Sequence, residues 1–588
     1  MTEGRSRSEE RPGPPVRSAS RFGFPLPALP ALYALCALPL SACGDDSSPA
    51  DGGGEVDGDG TGDGEGGSTS TFWSCPGDPG CAGAGAAAFE AGVGRRVANP
   101  TITETLTVDV DGDGEFDIRD DEFDDVDGDG RFDGVWIAGY GNPRPANDIH
   151  DDIETRVLAL RSGEKLLAIV SADLIGMFHD DVEQLRSAVA DLDIDYLLVA
   201  CSHNHEGPDT IGLWGLNETS SGVDPAYMNF LLAQMEAAVR DAVADLRPAR
   251  VKYGRTQPGE SAAKGINNVV GDGRDPVILN PWLTVLGFED AADGSTIATL
   301  VNWTAHAEFS DDRINSITAD YVHSLRLGIE EGVAEGSVDV PGVGGLAVFT
   351  QGALGSQVGP NRVQTTGLDG TEWTGGEEID WAQEVGRILA VGALRALDEA
   401  TAPEDTLDLA WVRARVELIV ENYGYHAMLL NGIFNRELHG YDPTYPLETG
   451  NYPWLWTEVS WLRLGRAQVY TVGGEPCPEQ FLGGYDGSYT PDSLSLVDPG
   501  SAHPPDLSAA PGPPYLYDRL EGAEYPMTWG LTNDMLGYLI PSYDYFLDEH
   551  APYIDEAFGF YYEETNSIGP EGWPAVERAY LEILERRP

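Results

Sequence analysis

Lysine is nearly missing from this chain: Lys165, Lys252 and Lys264 are the only three in 588 residues. Counting arginine, 35 basic residues face 98 acidic ones, a formal net charge of −63. That balance excludes nucleic acid as a partner, because phosphate binding needs a basic surface. It fits a salty habitat or a calcium-rich exterior, and composition does not separate the two. No repeat of solenoid period is present, which excludes a stacked-repeat architecture. A long apolar stretch occurs only near the start, from Phe22 to Leu40, and Pro25, Pro27, Pro30 and Pro39 disqualify it as a stable membrane span. What remains is a hydrophobic fraction of 41%, ordinary for a globular protein.

The start has a different use. Arg17 and Arg21 precede the apolar stretch, which ends in Leu40-Ser41-Ala42-Cys43. Basic residues, a short apolar segment and small residues at its end make an export signal. The ending resembles a bacterial lipobox, so residues 1–43 are expected to be a lipoprotein signal peptide with Cys43 lipidated. The protein is then exported and lipid-anchored to the cell envelope, with the anchor as its membrane partner. Export permits disulfides. Cys75 and Cys81 enclose Pro-Gly-Asp-Pro-Gly and are expected to form a local bridge, and Cys201 and Cys477 are a second candidate pair. Residues 44–87, rich in Gly and Asp at their start, read as a flexible linker, and 88–588 as one large catalytic domain.

An Asp-rich insertion spans 109–136. Its first segment offers oxygen ligands at Asp109, Asp111, Asp113, Glu115 and Asp117, glycine at the sixth position, and Asp120 at the twelfth, which is calcium-loop spacing. The second, from Asp125 through Asp127, Asp129 and Asp133, repeats the opening but has Trp136 at the twelfth position. Neither is flanked by evident amphipathic helices. A structural Ca2+ is the expected occupant, and a solvated acidic loop is the plain alternative.

From residue 150 strands and helices alternate, which predicts an α/β domain with a mixed or mainly parallel sheet. Glu164–Leu174 and Tyr196–Cys201 read as strands; 179–192, 226–246, 322–333 and 382–400 read as helices. After residue 410 aromatic, Pro and Gly content rises, which predicts loops. The chemistry collects where strands end, as it does in α/β sheets. Tyr196–Cys201 is followed by Ser202-His203-Asn204-His205-Glu206-Gly207-Pro208, two of only ten histidines in the chain. In an extended segment His203 and His205 face one side, which suits a metal ligand with an acid/base or orienting neighbour. Ile297–Val301 leads to His306, Gln468–Val472 leads to Gly473-Gly474-Glu475, and Leu346–Phe349 leads to Gly355-Ser356. Two histidines and a glutamate on separate strands make a three-ligand zinc set with an open position.

These segments together, from Phe89 to Pro570, resemble the neutral/alkaline non-lysosomal ceramidases, zinc-dependent amidases that cleave the N-acyl bond of ceramide. Ala91-Gly92-Val93-Gly94 looks like the family's opening motif, and Ser202–Pro208 is similar to its Thr-His-Thr-His-Ser-Gly-Pro. Asn302–His306 looks like the segment of the second zinc histidine, and Gly474-Glu475 like the motif of the glutamate ligand. Asn533–Tyr538 is similar to the segment that supplies a tyrosine ligand. Tyr562-Glu563 with Gly569-Pro570 resembles the segment whose tyrosine lies by the substrate carbonyl. The resemblance implies zinc held by His203, His306, Glu475 and Tyr538, with His205 and Tyr562 catalytic, and it stops short of the family's C-terminal immunoglobulin-like domain. The family's Gly-Asp-Val-Ser-Pro-Asn motif reads Gly355-Ser356-Gln357-Val358-Gly359-Pro360-Asn361 here. Its serine position is Gly359 counted back from Pro-Asn, and Ser356 is the nearest serine. The family's Asn-Arg pair reads Asn267-Asn268, with Arg274 a possible substitute. The zinc set is kept and the substrate-handling set is altered. The implied function is zinc-assisted hydrolysis of a lipid-like N-acyl amide. The alternatives are a zinc hydrolase of another N-acyl amide or an ester, and a non-catalytic calcium-binding surface lipoprotein.

Overall fold

The computed structural model describes residues 70–74 and 85–588, apart from 111–115, 118–120, 142, 218, 260–263, 311, 361, 376–377, 443, 447–449 and 560. The signal segment 1–43 with Cys43, most of the 44–87 linker, Cys75 and Cys81 lie outside the described residues, as do Asp111, Asp113, Glu115 and Asp120. One part of the expected linker is a strand: β1 (Ser70–Ser74) pairs antiparallel with residues 412–416.

Eight strands form most of a nine-stranded sheet: β2 (Ala87–Val97), β3 (Glu154–Ser162), β4 (Lys165–Ala172), β5 (Tyr196–Cys201), β6 (Arg247–Thr256), β7 (Leu283–Asp290), β8 (Thr296–Trp303) and β9 (Leu346–Gln351). They lie in the order β9-β8-β7-β6-β2-β3-β4-β5, and a short strand, Thr406–Leu407, adds to β2. Only β8/β9 and β4/β5 are parallel, so of the two forms expected, mixed or mainly parallel, the sheet is the mixed one, with antiparallel pairs in the majority. Parallel neighbours need a crossover. Helices α1 (His179–Ala188), between β4 and β5, and α3 (Asp320–Glu331), between β8 and β9, provide it, whereas β3–β4 and β7–β8 are plain hairpins. β6 and β2 pair over just two residues, and the edge strand β9 comes into contact with β5 at the far edge.

Loops do dominate after residue 410, as expected, but a second sheet that the sequence reading missed runs through them. It holds β1, β10 (Leu409–Ile419), β11 (Trp454–Leu464), β12 (Ala467–Thr471) and β13 (Tyr525–Trp529), in that order. In β10, Leu409 and Trp411 face one core cluster while Ala410, Val412, Ala414, Val416 and Leu418 face another, the period-2 alternation of a strand. The regional composition hid a local pattern.

Side chains from both sheets share one core: Leu158, Leu160, Leu167 and Ile169 meet Trp411, Leu462, Val469 and Trp529. On the outer face of the first sheet lie α2 (Pro225–Ala244), α3 and α4 (Glu378–Asp398). On the outer face of the second lies α5 (Gly572–Arg586). The result is four layers, helix–sheet–sheet–helix. Each fully buried Leu, Ile or Phe in them contributes roughly 1.5–3 kcal/mol, which fixes the strand ends from which the site is built. Among the described residues no helix is long and apolar enough to cross a membrane.

Candidate metal centre

The two histidine-bearing loops leave β5 and β8 and are stitched side by side. Asn204 bridges Ala307 in parallel, and the His205 amide donates to the Ala307 carbonyl at 3.0 Å. His203-Asn204-His205 therefore runs beside His306-Ala307-Glu308. The loop after β5 is not extended as the sequence suggests. His203 has φ +58°, a left-handed conformation that costs a non-glycine residue about 1–3 kcal/mol. The bend nevertheless leaves the His203 and His205 rings 4.7 Å apart, and His203 and His306 also 4.7 Å apart. Gln351, the last residue of β9, holds both loops. Its amide nitrogen donates to the carbonyls of Ser202 (2.8 Å) and Ala305 (2.6 Å), the residues just before the two histidines. Buried Arg144 adds a donation to the His205 carbonyl at 2.6 Å and to Glu206 at 2.9 Å.

Glu475 and Tyr538 arrive together from the second sheet. The chain beyond β12 forms a two-residue parallel pair with the chain beyond β13, and Glu475 stands opposite Tyr538. The Nε2 atoms of His203 and His306 face one oxygen, Glu475 Oε2, at 3.3 and 3.2 Å. Both contacts are longer than the 2.7–2.9 Å of a charge-assisted hydrogen bond, and by geometry that buried oxygen has no hydrogen-bond partner. The Tyr538 hydroxyl is 3.3 Å from His306 Nε2. The Nδ1 atoms contact the carbonyls of Ile175 (2.8 Å, from His203) and Gln357 (2.9 Å, from His306). A carbonyl only accepts, so Nδ1 carries a proton in each ring, which leaves Nε2 as the nitrogen that can face a metal. His203, His205 and His306 offer ring nitrogens within 4.8 Å of one another. Two fixed imidazoles and an orphaned carboxylate oxygen, all buried, are a donor set that fits zinc.

Electrostatics separates the roles. Burial disfavours charge on Glu475, but His203 and His306 outweigh it and hold the carboxyl at about 2. Burial likewise opposes charge on His306, and Glu475 and Glu308 lift it to about 9. His205 is kept neutral, well below the ordinary histidine range, by burial and then by His203, His306 and Arg144. Neither of its ring nitrogens has a hydrogen-bond partner, and Nδ1 lies 3.8 Å from Glu308 Oε2. Tyr562 packs edge-on against Tyr538, with ring centroids 5.7 Å apart. Burial pushes both phenols upward, so both remain proton donors.

All six of these side chains except His306 line one cavity of about 600 Å³. Its walls are largely apolar: Phe178, Phe434 and Tyr425 meet edge-on, with Leu429, Leu455 and Leu536 beside them. Glu308, which sequence reasoning missed, also lines it. The signal was available as the repeated spacing of His203-x-His205 and His306-x-Glu308. Gln351 was missed because a buried amide at a strand end has no motif.

Ser356 is not among the cavity's lining residues; its hydroxyl accepts from the Gln357 side-chain amide at 3.1 Å. At Gly359 a Cβ would lie 2.3 Å from the ring of Phe309, a core residue, so no serine fits there without repacking. Arg274 does not take the place of a substrate-binding arginine. It is buried and donates to Asp544 (2.6 Å), Glu563 (3.3 Å) and Glu564 (2.7 and 3.2 Å). Cys201 and Cys477 are free buried thiols rather than a pair. Cys201 belongs to the core under the helices, whereas burial and Glu479 raise the Cys477 thiol in a different, polar setting.

In the Asp-rich insertion, Asp109 and Asp117 are the described members of the first segment. The second lies wholly within the described residues. Asp125 accepts from the amides of Gly128 (2.7 Å) and Gly130 (3.0 Å), and Glu104, buried and outside the loop, joins Asp125 and Asp127 in one possible ligand group. Trp136 packs into a small aromatic core with Phe116 and Phe132.

No protein-family profile matches the chain, and no curated protein matches it in sequence. Solved structures do match in fold. One is a ceramidase complexed with C2, with a TM-score of 0.56 and 16% identity, covering 85% of this chain and 76% of that one. Another is the neutral ceramidase from Pseudomonas aeruginosa, at 0.55 and 15%, covering 85% and 75%. At such identities the likeness is one of fold.

Proposed function

We propose that this protein is a zinc-dependent hydrolase of an N-acyl amide, ceramidase-like in fold and chemistry. The observation that carries this reading is the convergence of His203 and His306 Nε2 on one orphaned oxygen of Glu475, inside an apolar cavity. His203, His306 and Glu475 would hold the zinc, with Tyr538 as fourth ligand. Zinc, when bound, supplies Lewis acidity toward a carbonyl and an acidified water.

The chain's own residues do the rest. The apolar wall around Phe178, Phe434 and Leu536 takes the acyl chain and excludes bulk water. The Tyr562 hydroxyl donates to the carbonyl oxygen as charge develops there. Neutral His205 accepts a proton from the water and returns it to the departing nitrogen, with Glu308 beside it to favour the charged imidazole between the two transfers. A serine nucleophile has no support, since Ser356 is off the cavity and Gly359 has no room. Two lesser expectations from the sequence remain proposals: Cys43 as a lipid anchor to the envelope, and a structural Ca2+ in the first Asp-rich segment at Asp109, Asp111, Asp113, Glu115, Asp117 and Asp120. Transfer of the protein to the soluble fraction by Cys43→Ser, and a calcium-dependent rise in melting temperature, check them.

The main test combines zinc content with release of fatty acid from a fluorescent short-chain ceramide. One zinc per chain and hydrolysis, both lost in His203→Ala and Glu475→Gln, is the expected result. Zinc without ceramide hydrolysis moves the substrate to another N-acyl amide or ester. No zinc in the folded protein favours a non-catalytic lipoprotein.

A further inference from the structure

The three histidines of the centre are not held alike. His203 and His306 are each fixed by a bond from Nδ1 to a carbonyl, but by geometry neither ring nitrogen of His205 has a hydrogen-bond partner. Packing therefore sets its orientation. Three rings stand round it: His203 at 4.7 Å, His306 at 5.5 Å and Tyr140 at 5.1 Å, with interplanar angles of 80°, 78° and 72°. His203 and His306 belong to the metal set. Tyr140 is the remaining wall, buried and lining the same cavity.

Tyr140 is itself clamped. Its loop is closed by the Ile137 amide donating to the Arg144 carbonyl at 2.8 Å, and the Ala138 amide donates to the Gly207 carbonyl at 2.9 Å. The Tyr140 hydroxyl donates to the Glu308 carbonyl, and the Trp214 indole donates to the Tyr140 carbonyl at 2.7 Å. The Arg144 guanidinium lies 5.0 Å from the ring centroid, within cation–π range. One side chain thus ties the His205 loop to the His306 loop on the cavity side. The residue before it is shaped to the same neighbour. Gly139 has φ +114°, and a Cβ there would lie 2.4 Å from His205 Cβ and 2.6 Å from its Cα. Glycine lets the loop come close enough to lay the Tyr140 ring against the imidazole.

We propose that Tyr140 is a positioning residue: its ring fixes the angle of the His205 imidazole, and its hydroxyl anchors the ring. The inference rests on the hydrolase reading above, in which His205 carries a proton from water to the departing nitrogen. Such a transfer needs a short, aligned path, and a misplacement of about 1 Å can cost about 100-fold in rate. An imidazole without a hydrogen bond can turn about its Cβ–Cγ bond once the flat wall beside it is gone.

The test separates ring from hydroxyl. Tyr140→Leu removes the flat ring and keeps an apolar side chain; Tyr140→Phe keeps the ring and removes the hydroxyl. With the zinc-loaded protein and the fluorescent short-chain ceramide, Tyr140→Leu should lower kcat about 10–100-fold while KM stays within about three-fold. Tyr140→Phe should hold kcat within about three-fold of the native value. Zinc affinity, by chelator competition, should be unchanged in both. Proton–nitrogen correlation spectra of the histidine rings give a readout independent of turnover, with the His205 signals identified in His205→Gln. One set is expected in the native protein and in Tyr140→Phe, and split or broadened signals in Tyr140→Leu. Tyr140→Met takes its place if Tyr140→Leu does not fold. Loss of zinc in Tyr140→Leu, a rise in KM alone, or Tyr140→Phe as slow as Tyr140→Leu overturns the proposal. So does a Tyr140→Leu protein whose kcat or His205 spectrum is unchanged. If the native protein binds zinc but cleaves no N-acyl amide, the hydrolase reading fails separately. The spectra then decide the positioning claim alone: split signals in Tyr140→Leu sustain it, and a single sharp set overturns it.

Discussion

Two buried polar cages are built from interleaved parts of the sequence and differ in one respect, the source of their positive charge. Around Arg274, carboxyl groups of Asp544, Glu563 and Glu564 surround a guanidinium that belongs to the chain. Burial would discharge Arg274, but the three acids hold it firmly protonated. Among the described residues no arginine or lysine forms an ion pair with Glu475; the groups that face it are His203 and His306. The cage consists of imidazoles fixed by carbonyls and a carboxylate oxygen without a hydrogen bond. Buried charge must be paired: a permanent guanidinium pairs the first cage, whereas only titratable imidazoles face Glu475 in the second, and a metal ion can displace their protons. That difference separates a structural cluster from a site better than the count of charged residues does.

The comparison can be broken first at the closed cage. Arg274→Met should leave three buried acids without their cation and destabilise folding by about 3–5 kcal/mol, read by urea denaturation. Zinc content per folded molecule should not change; a loss of zinc at full stability would show that the two cages are one unit. A smaller effect sharpens the same point at another closed cluster, where Arg186, Tyr196 and Asn533 hold Glu458 (2.9, 3.0 and 2.8 Å). Burial opposes its charge, but Arg186 and Arg413 keep the carboxyl at about 2. Its folded pKa is below the ordinary carboxylate value, so its contribution is full above about pH 4.5 and is lost as pH falls through 2. Glu458→Gln should cost about 3 kcal/mol at neutral pH, and its gap from the native protein should narrow between pH 5 and pH 3. The least expected effect is at the open cage. Gln351→Leu removes the amide that holds the carbonyls before His203 and His306, and should weaken zinc binding about 10–100-fold in competition with a chelator. Unchanged affinity would mean that the parallel bridge alone sets the loops.

His203, His306 and Glu475 were legible because each follows an apolar run short enough to be a strand, and strand ends are where a fold delivers side chains to one place. The helices at 226–246 and 382–400 were legible to within two or three residues at most ends, since apolar periodicity over twenty residues is hard to mistake. The second sheet was not, because a regional count of Pro, Gly and aromatics outweighed the alternation in Leu409–Ile419. Glu308 and Gln351 were missed for another reason: their roles depend on which loop lies beside which.

By itself, then, the sequence determined the residue types that can bind a metal, their positions at the ends of strands, and a strongly acidic charge balance. Only the tertiary structure decided which of them meet. It set Glu475 against two histidines more than 150 residues away in sequence, enclosed Arg274 in carboxylates, kept Ser356 off the cavity and filled the space at Gly359 with Phe309. Chemistry of that kind depends on separations of about 3 Å, and those are fixed by the packing of two sheets, which no local stretch of sequence encodes.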